Sequence, residues 1–347
     1  MTTSCPPLEV LVPQGRDDLA DYREGVPAPQ DGGHAPVNFH ALAAASKALF
    51  HKDSSTVPAS SRDVLVLVPR RISRAVRAAR ELGARGHRVW VAWKECGAHQ
   101  IAAQMDRWRA AARWRTLVES CHGVVAASPA AENFFRARED ARKKTVVLPT
   151  PYPVDVTSWD FSLPVAARSG IFVGTREWNV PSRRHAEAVV LAIRAARAAR
   201  THVTLMNVAT RPERARLDDM RRSLGDQVEM RIIDGPLPYA DYLRLVSAHR
   251  VVLQRDSSGV PGQVAGDALL CRIPCLGGNG MVDGLAFPFL PDADDDDETV
   301  LAATVDLLRD DVRYAEAVAR SQDLAARQLS FGAFARRWAG IAALPAP

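Results

Sequence analysis

Short apolar runs alternate along this chain with longer stretches in which apolar positions recur every three or four residues. The clearest case starts at Asp63–Val68 (DVLVLV) and continues through Ile72, Val76, Ala79 and Leu82. It stops at the Gly83–Gly86 region and resumes at Arg88–Trp93 (RVWVAW). β-branched runs of this length read as strands buried on both faces, and the spacing between them reads as an amphipathic helix. The same alternation predicts strands over residues 8–13, 123–127, 145–148, 170–173, 203–208, 228–233, 251–253 and 273–276. Helices are predicted over 37–49, 99–121, 130–139, 211–224 and 239–248, and from Pro261 to about Cys271 with Val264, Ala268 and Leu269 inward. Ser128 is placed to cap the helix that opens with Pro129, a favoured pair for a first turn. Ser182 is placed to cap a helix running to Arg200, with Ala186, Val189, Val190 and Ile193 on its inner face. The aromatics of 99–121, Trp108 and Trp114 among them, read as packing residues. Residues 279–291 read as a loop, and helical segments over about 299–308, 312–328 and 333–343 close the chain.

Strands separated by helices throughout imply parallel sheets with helices on both faces. The fold class is α/β. At 347 residues the chain is long for one core, so two doubly wound, Rossmann-like domains are expected. Pro149, Pro151 and Pro153 stiffen the chain between the two series and can continue neither a helix nor a strand. They place a first domain at 1–153 and a second at 154–330, with 331–347 as a terminal helix.

Two loops can hold chemistry. Asp256-Ser257-Ser258-Gly259 follows the strand 251–253 and precedes a helix. In open α/β sheets ligands bind at such carboxyl ends, and free N–H groups at a helix start favour an anion such as phosphate. Gly32-Gly33 after the first strand has the same character. Both also read as ordinary tight loops. Asp234 closes the strand 228–233.

Composition narrows the function classes. Hydrophobic residues at 47% and charged residues at 24% are those of a globular protein. The net charge of +5 comes from 45 Lys+Arg against 40 Asp+Glu, with arginines spread along Ala-rich helices such as 193–200. That is a solvated helix face, and no helix-turn-helix, zinc-finger or aromatic RNA-binding pattern accompanies it, so a nucleic-acid partner is not expected. The five cysteines include no CxxC pair, which fits a reducing, cytoplasmic setting. The first residues lack a secretory pattern and no apolar run reaches membrane-spanning length. No helix combines a basic face with a Trp/Phe/Leu face; 99–121 comes closest to a membrane-surface element. Dinucleotide, P-loop and nucleophile-elbow motifs are absent. The acidic run 292–298, with six acids in seven residues, reads as a solvated loop rather than a metal site.

The order of pieces from Gly174-Thr175-Arg176 through Arg183-Arg184, Ser257, Asp267-Ala268, Ile273-Pro274 and Gly277-Gly278 resembles the nucleotide-sugar domain of GT-B-fold glycosyltransferases. The resemblance is to the retaining, family-four group in particular. Residues 123–129 (GVVAASP) and 145–153 (TVVLPTPYP) resemble that family's passages in the first domain, so the likeness covers roughly residues 60–345. It implies a GT-B arrangement in which the two domains face a cleft and the terminal helix returns to the first domain. It also implies transfer of a sugar, with retention and without a metal, from a UDP- or GDP-linked nucleotide diphosphate sugar to an unspecified acceptor held by the first domain.

On this resemblance Arg176 with Arg183 or Arg184 neutralises the leaving diphosphate, work suited to bidentate guanidinium groups. Asp267 accepts hydrogen bonds from the ribose hydroxyls. Gly174, Asp234, Ser257, Ser258, Gly259 and Gly262 line the donor, and Gly32-Gly33 closes over the phosphates. Lys94 and Glu95, with His99 beyond, fall where the family places a histidine near the reaction centre. One position departs from the family. Gly259 stands where the first acid of an E-x7-E pair is expected, which keeps two other classes open. These are a GT-B-like binding or partner subunit without catalysis, and an enzyme that isomerises or hydrolyses the nucleotide sugar.

Overall fold

Seven strands build the first sheet: β1 (Leu8–Leu11), β2 (Ala20–Asp21), β3 (Leu49–His51), β4 (Asp63–Val68), β5 (Arg88–Trp93), β6 (Gly123–Ala126) and β7 (Thr145–Val147). Their order is β2-β3-β1-β4-β5-β6-β7, parallel except for the β2–β3 pair. Every residue of β1 and β4 is buried, as central strands covered by helices on both faces must be. Its helices are α1 (His40–Ala45), α2 (Ile72–Ala84), α3 (Ala98–Met105), α4 (Ala110–Ser120), α5 (Pro129–Arg136) and α6 (Glu139–Arg142). The computed structural model describes residues 5–15, 19–31, 33–174, 177–207, 211–224 and 228–344.

The second sheet has five strands: β8 (Ile171–Val173), β9 (Val203–Asn207), β10 (Met230–Asp234), β11 (Val251–Leu253) and β12 (Cys275–Leu276). They lie in the order β10-β9-β8-β11-β12, all parallel. Around them run α7 (His185–Ala199), α8 (Arg211–Leu224), α9 (Tyr239–Ser247), α10 (Gln263–Leu270), α11 (Met281–Ala286), α12 (Asp297–Arg309) and α13 (Asp311–Gln328). A last helix, α14 (Phe331–Ala342), belongs to the first unit. There the Trp338 ring meets Trp90 at 5.4 Å and its N–H donates to the Pro6 carbonyl at 3.0 Å. The two units are Met1–Asp155 with Gly259–Pro261 and Ala326–Pro347, and Val156–Ser258 with Gly262–Ala325.

Several local expectations are corrected. The helix expected over 37–49 ends at Ala45. The Ser46 hydroxyl donates to the Leu42 carbonyl, Lys47 turns left-handed, and Leu49–His51 pairs with β1 instead. The helix expected over 99–121 breaks at Arg109, which is left-handed (φ +62). Unbroken, it would be about 34 Å long against roughly 20 Å for the strands it must cover. Trp114 is buried between Trp93 and Phe135, but Trp108, beside the break, is 76% exposed and packs no core. Ser182 does not cap α7. It lies in a tight turn with Pro181, its carbonyl accepts the Ser257 N–H, and left-handed Arg184 takes the cap position. The inner face of α7 is Ala188, Val189, Ala192 and Ile193, while Ala186 is exposed and Val190 half-buried. The loop expected over 279–291 contains α11.

Candidate active site at the carboxyl edge of the second sheet

In the second sheet the chain moves outward from β8 through β9 to β10, then returns to the other side of β8 as β11. The carboxyl ends of β8 and β11 therefore form a topological switch point, where connections diverge and leave room for a ligand. Gly174 ends β8, its N–H donating to the Leu253 carbonyl at 2.9 Å. A Cβ at Gly174 would overlap Val264 of α10, so glycine lets the helix reach the strand end. Gly262 caps α10 in the left-handed region (φ +94), and neither a side-chain cap nor an acid occupies the first turn. The positive end of the α10 dipole is left for an anion.

Beyond β11 three polar side chains are buried in succession, Gln254, Arg255 and Asp256. Burial of such groups is tolerated only with partners, and alternation along the strand sends them to opposite sides. Arg255 donates to the Asp292 and Asp295 carbonyls at 3.0 and 2.8 Å and pairs with Asp297 at 3.3 Å. The acidic run is thus a cover for one buried arginine, and Asp296 caps α12 by accepting from the Thr299 N–H at 2.9 Å. Among the described residues no cluster of His, Cys, Asp or Glu is arranged to hold a metal.

Asp256 accepts from Arg183, from the Ser258 N–H at 2.9 Å and from the Ser258 hydroxyl. Arg183 also pairs with Glu177 at 2.8 Å. Ser257 donates its N–H and hydroxyl to the Ser182 carbonyl at 2.8 and 3.1 Å. These bonds bring Arg183, Asp256, Ser257 and Ser258 together in one hydrogen-bonded corner. On the other side, Gln254 donates to Asp283 at 2.8 Å. Burial, and then the charge of Asp256, push the Asp283 carboxyl up to about 7. Gly262 and Gly280 crowd its oxygens: a Cβ on either would stand 2.9 or 2.6 Å away.

Asp267 is buried within α10. It accepts from the Tyr239 hydroxyl at 2.5 Å and from Tyr242, and burial pushes its carboxyl up to about 7. Arg184 pairs with Glu187 and donates to the Ala293 carbonyl at 2.9 Å. Asp234 lies at the end of the edge strand β10, exposed and 3.5 Å from Arg214. Gly259, left-handed at φ +57, groups with the first unit, where its carbonyl accepts the Ala130 N–H at 3.1 Å. In that unit Lys94 and Glu95 follow β5, with Glu95 held by Arg70 at 3.1 Å. Gly33 lies in an exposed loop against Pro27. Gly32 and Arg176 lie outside the described residues. Sequence reasoning did not find Gln254 or Asp283. Gly277-Gly278 entered only through the order of pieces that carries the resemblance and 279–291 read as a loop, and nothing local marks the Asp283 side chain as facing back to β11.

Solved structures share this architecture over the length of the chain. HepE of Anabaena in complex with UDP matches with a TM-score of 0.65 at 11% identity, over 97% of this chain and 100% of that one. The chain has the GT-B fold. HepE in complex with UDP-glucose gives a TM-score of 0.60 at 11% identity over 97% and 100% of the two chains. Sucrose-phosphate synthase of Thermosynechococcus elongatus gives 0.61 at 12% over 97% and 98%. No protein-family model and no curated protein matches the sequence. The expectation of two parallel-sheet α/β domains of GT-B type is met. Among the described residues no helix is long and apolar enough to cross a membrane.

Proposed function

We propose that this GT-B chain is a glycosyltransferase that moves a sugar, with retention and without a metal, from a nucleotide diphosphate sugar to an acceptor held by the first unit, in the cytoplasm. The observation that carries the proposal is the likeness, across nearly the whole of both chains, to a structure in complex with UDP-glucose. The second-unit switch point supports it, because the uncapped α10 start and Arg183 lie at its edge.

On this reading the diphosphate lies against the Gly262 end of α10 and the Ser257–Ser258 backbone, close to Gly174, with Gly32-Gly33 and Gly259 near the phosphates and the sugar. Arg176, Arg183 and Arg184 balance the charge that grows on the leaving phosphate as the glycosidic bond breaks. Stabilising charge that develops only in the transition state accelerates the step. Phosphate would compete with Asp256 and Glu177 for Arg183, so donor binding and loop geometry are linked. Asp267 would exchange the Tyr239 hydroxyl for a ribose hydroxyl, with Asp234 further along the same edge. Lys94 and Glu95 would face the acceptor.

Calorimetric titration with UDP, GDP and ADP tests the donor reading. One nucleotide should bind at micromolar concentration and bind more weakly to Arg176→Ala and Asp267→Ala. No binding by the unaltered chain at millimolar nucleotide would remove it. Gly259, at the position of an expected acid, favours a second reading in which the nucleotide binds but no sugar is transferred. Donor turnover with and without candidate acceptors separates transfer, hydrolysis and binding alone.

A further inference from the structure

In the first unit the break between α3 and α4 builds a surface of unusual composition. Trp108 is 76% exposed, the largest exposure among the large hydrophobic side chains of the described residues. A single exposed apolar side chain is ordinary on a protein surface; this one is set apart by its place at a helix break and by the cation beside it. The Arg109 guanidinium lies 3.8 Å from the Trp108 ring centre, so a cation travels with the indole. Arg107 donates to the Arg70 carbonyl at 2.8 Å, which fixes the tip beside the residues that follow β4.

The surroundings are basic for a physical reason that normal helix design opposes. α2 and α4 start at the same sheet edge, one after β4 and the other after the break, and pack along each other. Both have arginine at the cap position, Arg71 and Arg109, without a side-chain cap and without an acid in the first turn. Helix starts ordinarily carry Ser, Thr, Asp or Asn there, whose side-chain oxygens accept the free N–H groups, with acids in the first turn to match the positive end of the dipole. Here exposed Arg70, Arg71, Arg109 and Arg113 add charge of the same sign. Of these, Arg70 is balanced by Glu95 at 3.1 Å, and Asp106 closes α3 beside the break.

We infer that this surface docks on an anionic phospholipid membrane, with Trp108 at the headgroup level and the arginines on lipid phosphates. An indole with a cation beside it suits the interface, where one part is apolar and the other wet. Arginines near an anionic bilayer each contribute to binding. A rigid tip supported by two helices meets a flat surface without the long amphipathic helix that the sequence lacks. The inference does not depend on nucleotide binding.

Co-sedimentation of the full chain with vesicles tests it. The chain should bind phosphatidylcholine vesicles containing about one-third phosphatidylglycerol and leave pure phosphatidylcholine vesicles largely unbound. Trp108→Ala should weaken binding about tenfold. Arg109→Ser and Arg113→Ser should each weaken it about fivefold, and added salt should release the chain. These side chains are exposed, so thermal melts of the variants should match the parent and exclude misfolding as the cause. Absence of binding, equal binding by the variants, or release by millimolar inorganic phosphate at constant ionic strength would overturn the inference. The last result would assign the surface to a soluble phosphate compound.

Discussion

Replacing Asp267 with Asn removes a carboxyl that burial pushes from its ordinary 3.8 up to about 7, while preserving its shape. Between those two pH values the folded protein keeps a proton that the unfolded chain has released. Stability therefore falls as pH rises through the window and levels off above the folded value. Each unit of difference corresponds to about 1.4 kcal/mol, so the roughly three-unit window amounts to about 4 kcal/mol. Asn has no such proton, but it presents an N–H2 group to one of the tyrosine hydroxyls that the carboxylate accepts, a loss of about 1 kcal/mol. The variant should be slightly less stable than the parent near pH 4 and more stable by about 3 kcal/mol near pH 8. Urea unfolding across this range, followed on the transition of the second unit, measures the difference, from which Asp283 and other shared groups cancel. Parallel stability profiles for parent and variant would refute the reasoning, and would mean that Asp267 is not desolvated as its burial indicates.

Two further predictions concern the candidate site. Gly277→Ala places a side chain at φ +77 and overlaps the Gln254 carbonyl, so the second unit should lose about 3 kcal/mol or more in thermal unfolding. Arg183→Ala strips a buried carboxylate, Asp256, of its cation and should cost about 3 kcal/mol in denaturant unfolding. Removing both partners in Arg183→Ala/Asp256→Ala should recover part of that loss, and a double variant worse than the sum would contradict the pairing.

Much of the fold could be read locally. β4, α2 and β5 stand close to where periodicity placed them, because a buried strand and an amphipathic helix each carry their own spacing. Ser128 caps α5 as its spacing indicates, accepting the Ala131 N–H at 3.1 Å. The strand that replaces the end of the first expected helix was not legible. Leu49 and Phe50 suit either element, and pairing with β1 decides it. Helix length was not legible either, since the break at Arg109 answers to the width of the sheet beneath it.

The candidate site divides along the same line. The sequence by itself determined that a small-residue loop follows β11 and opens a helix, because glycine, serine and proline act on the backbone next to them. Only the tertiary structure decided which side chains meet there. Arg183 reaches Asp256 across 73 residues, Gln254 reaches Asp283 across 29, and Arg255 takes carbonyls from the acidic run about 40 residues on. Local periodicity carries no record of such partners. Parallel strands are joined through helices, so residues that share a sheet edge are far apart in the chain, and the desolvation of buried charges fixes their pairing only once the edge is built.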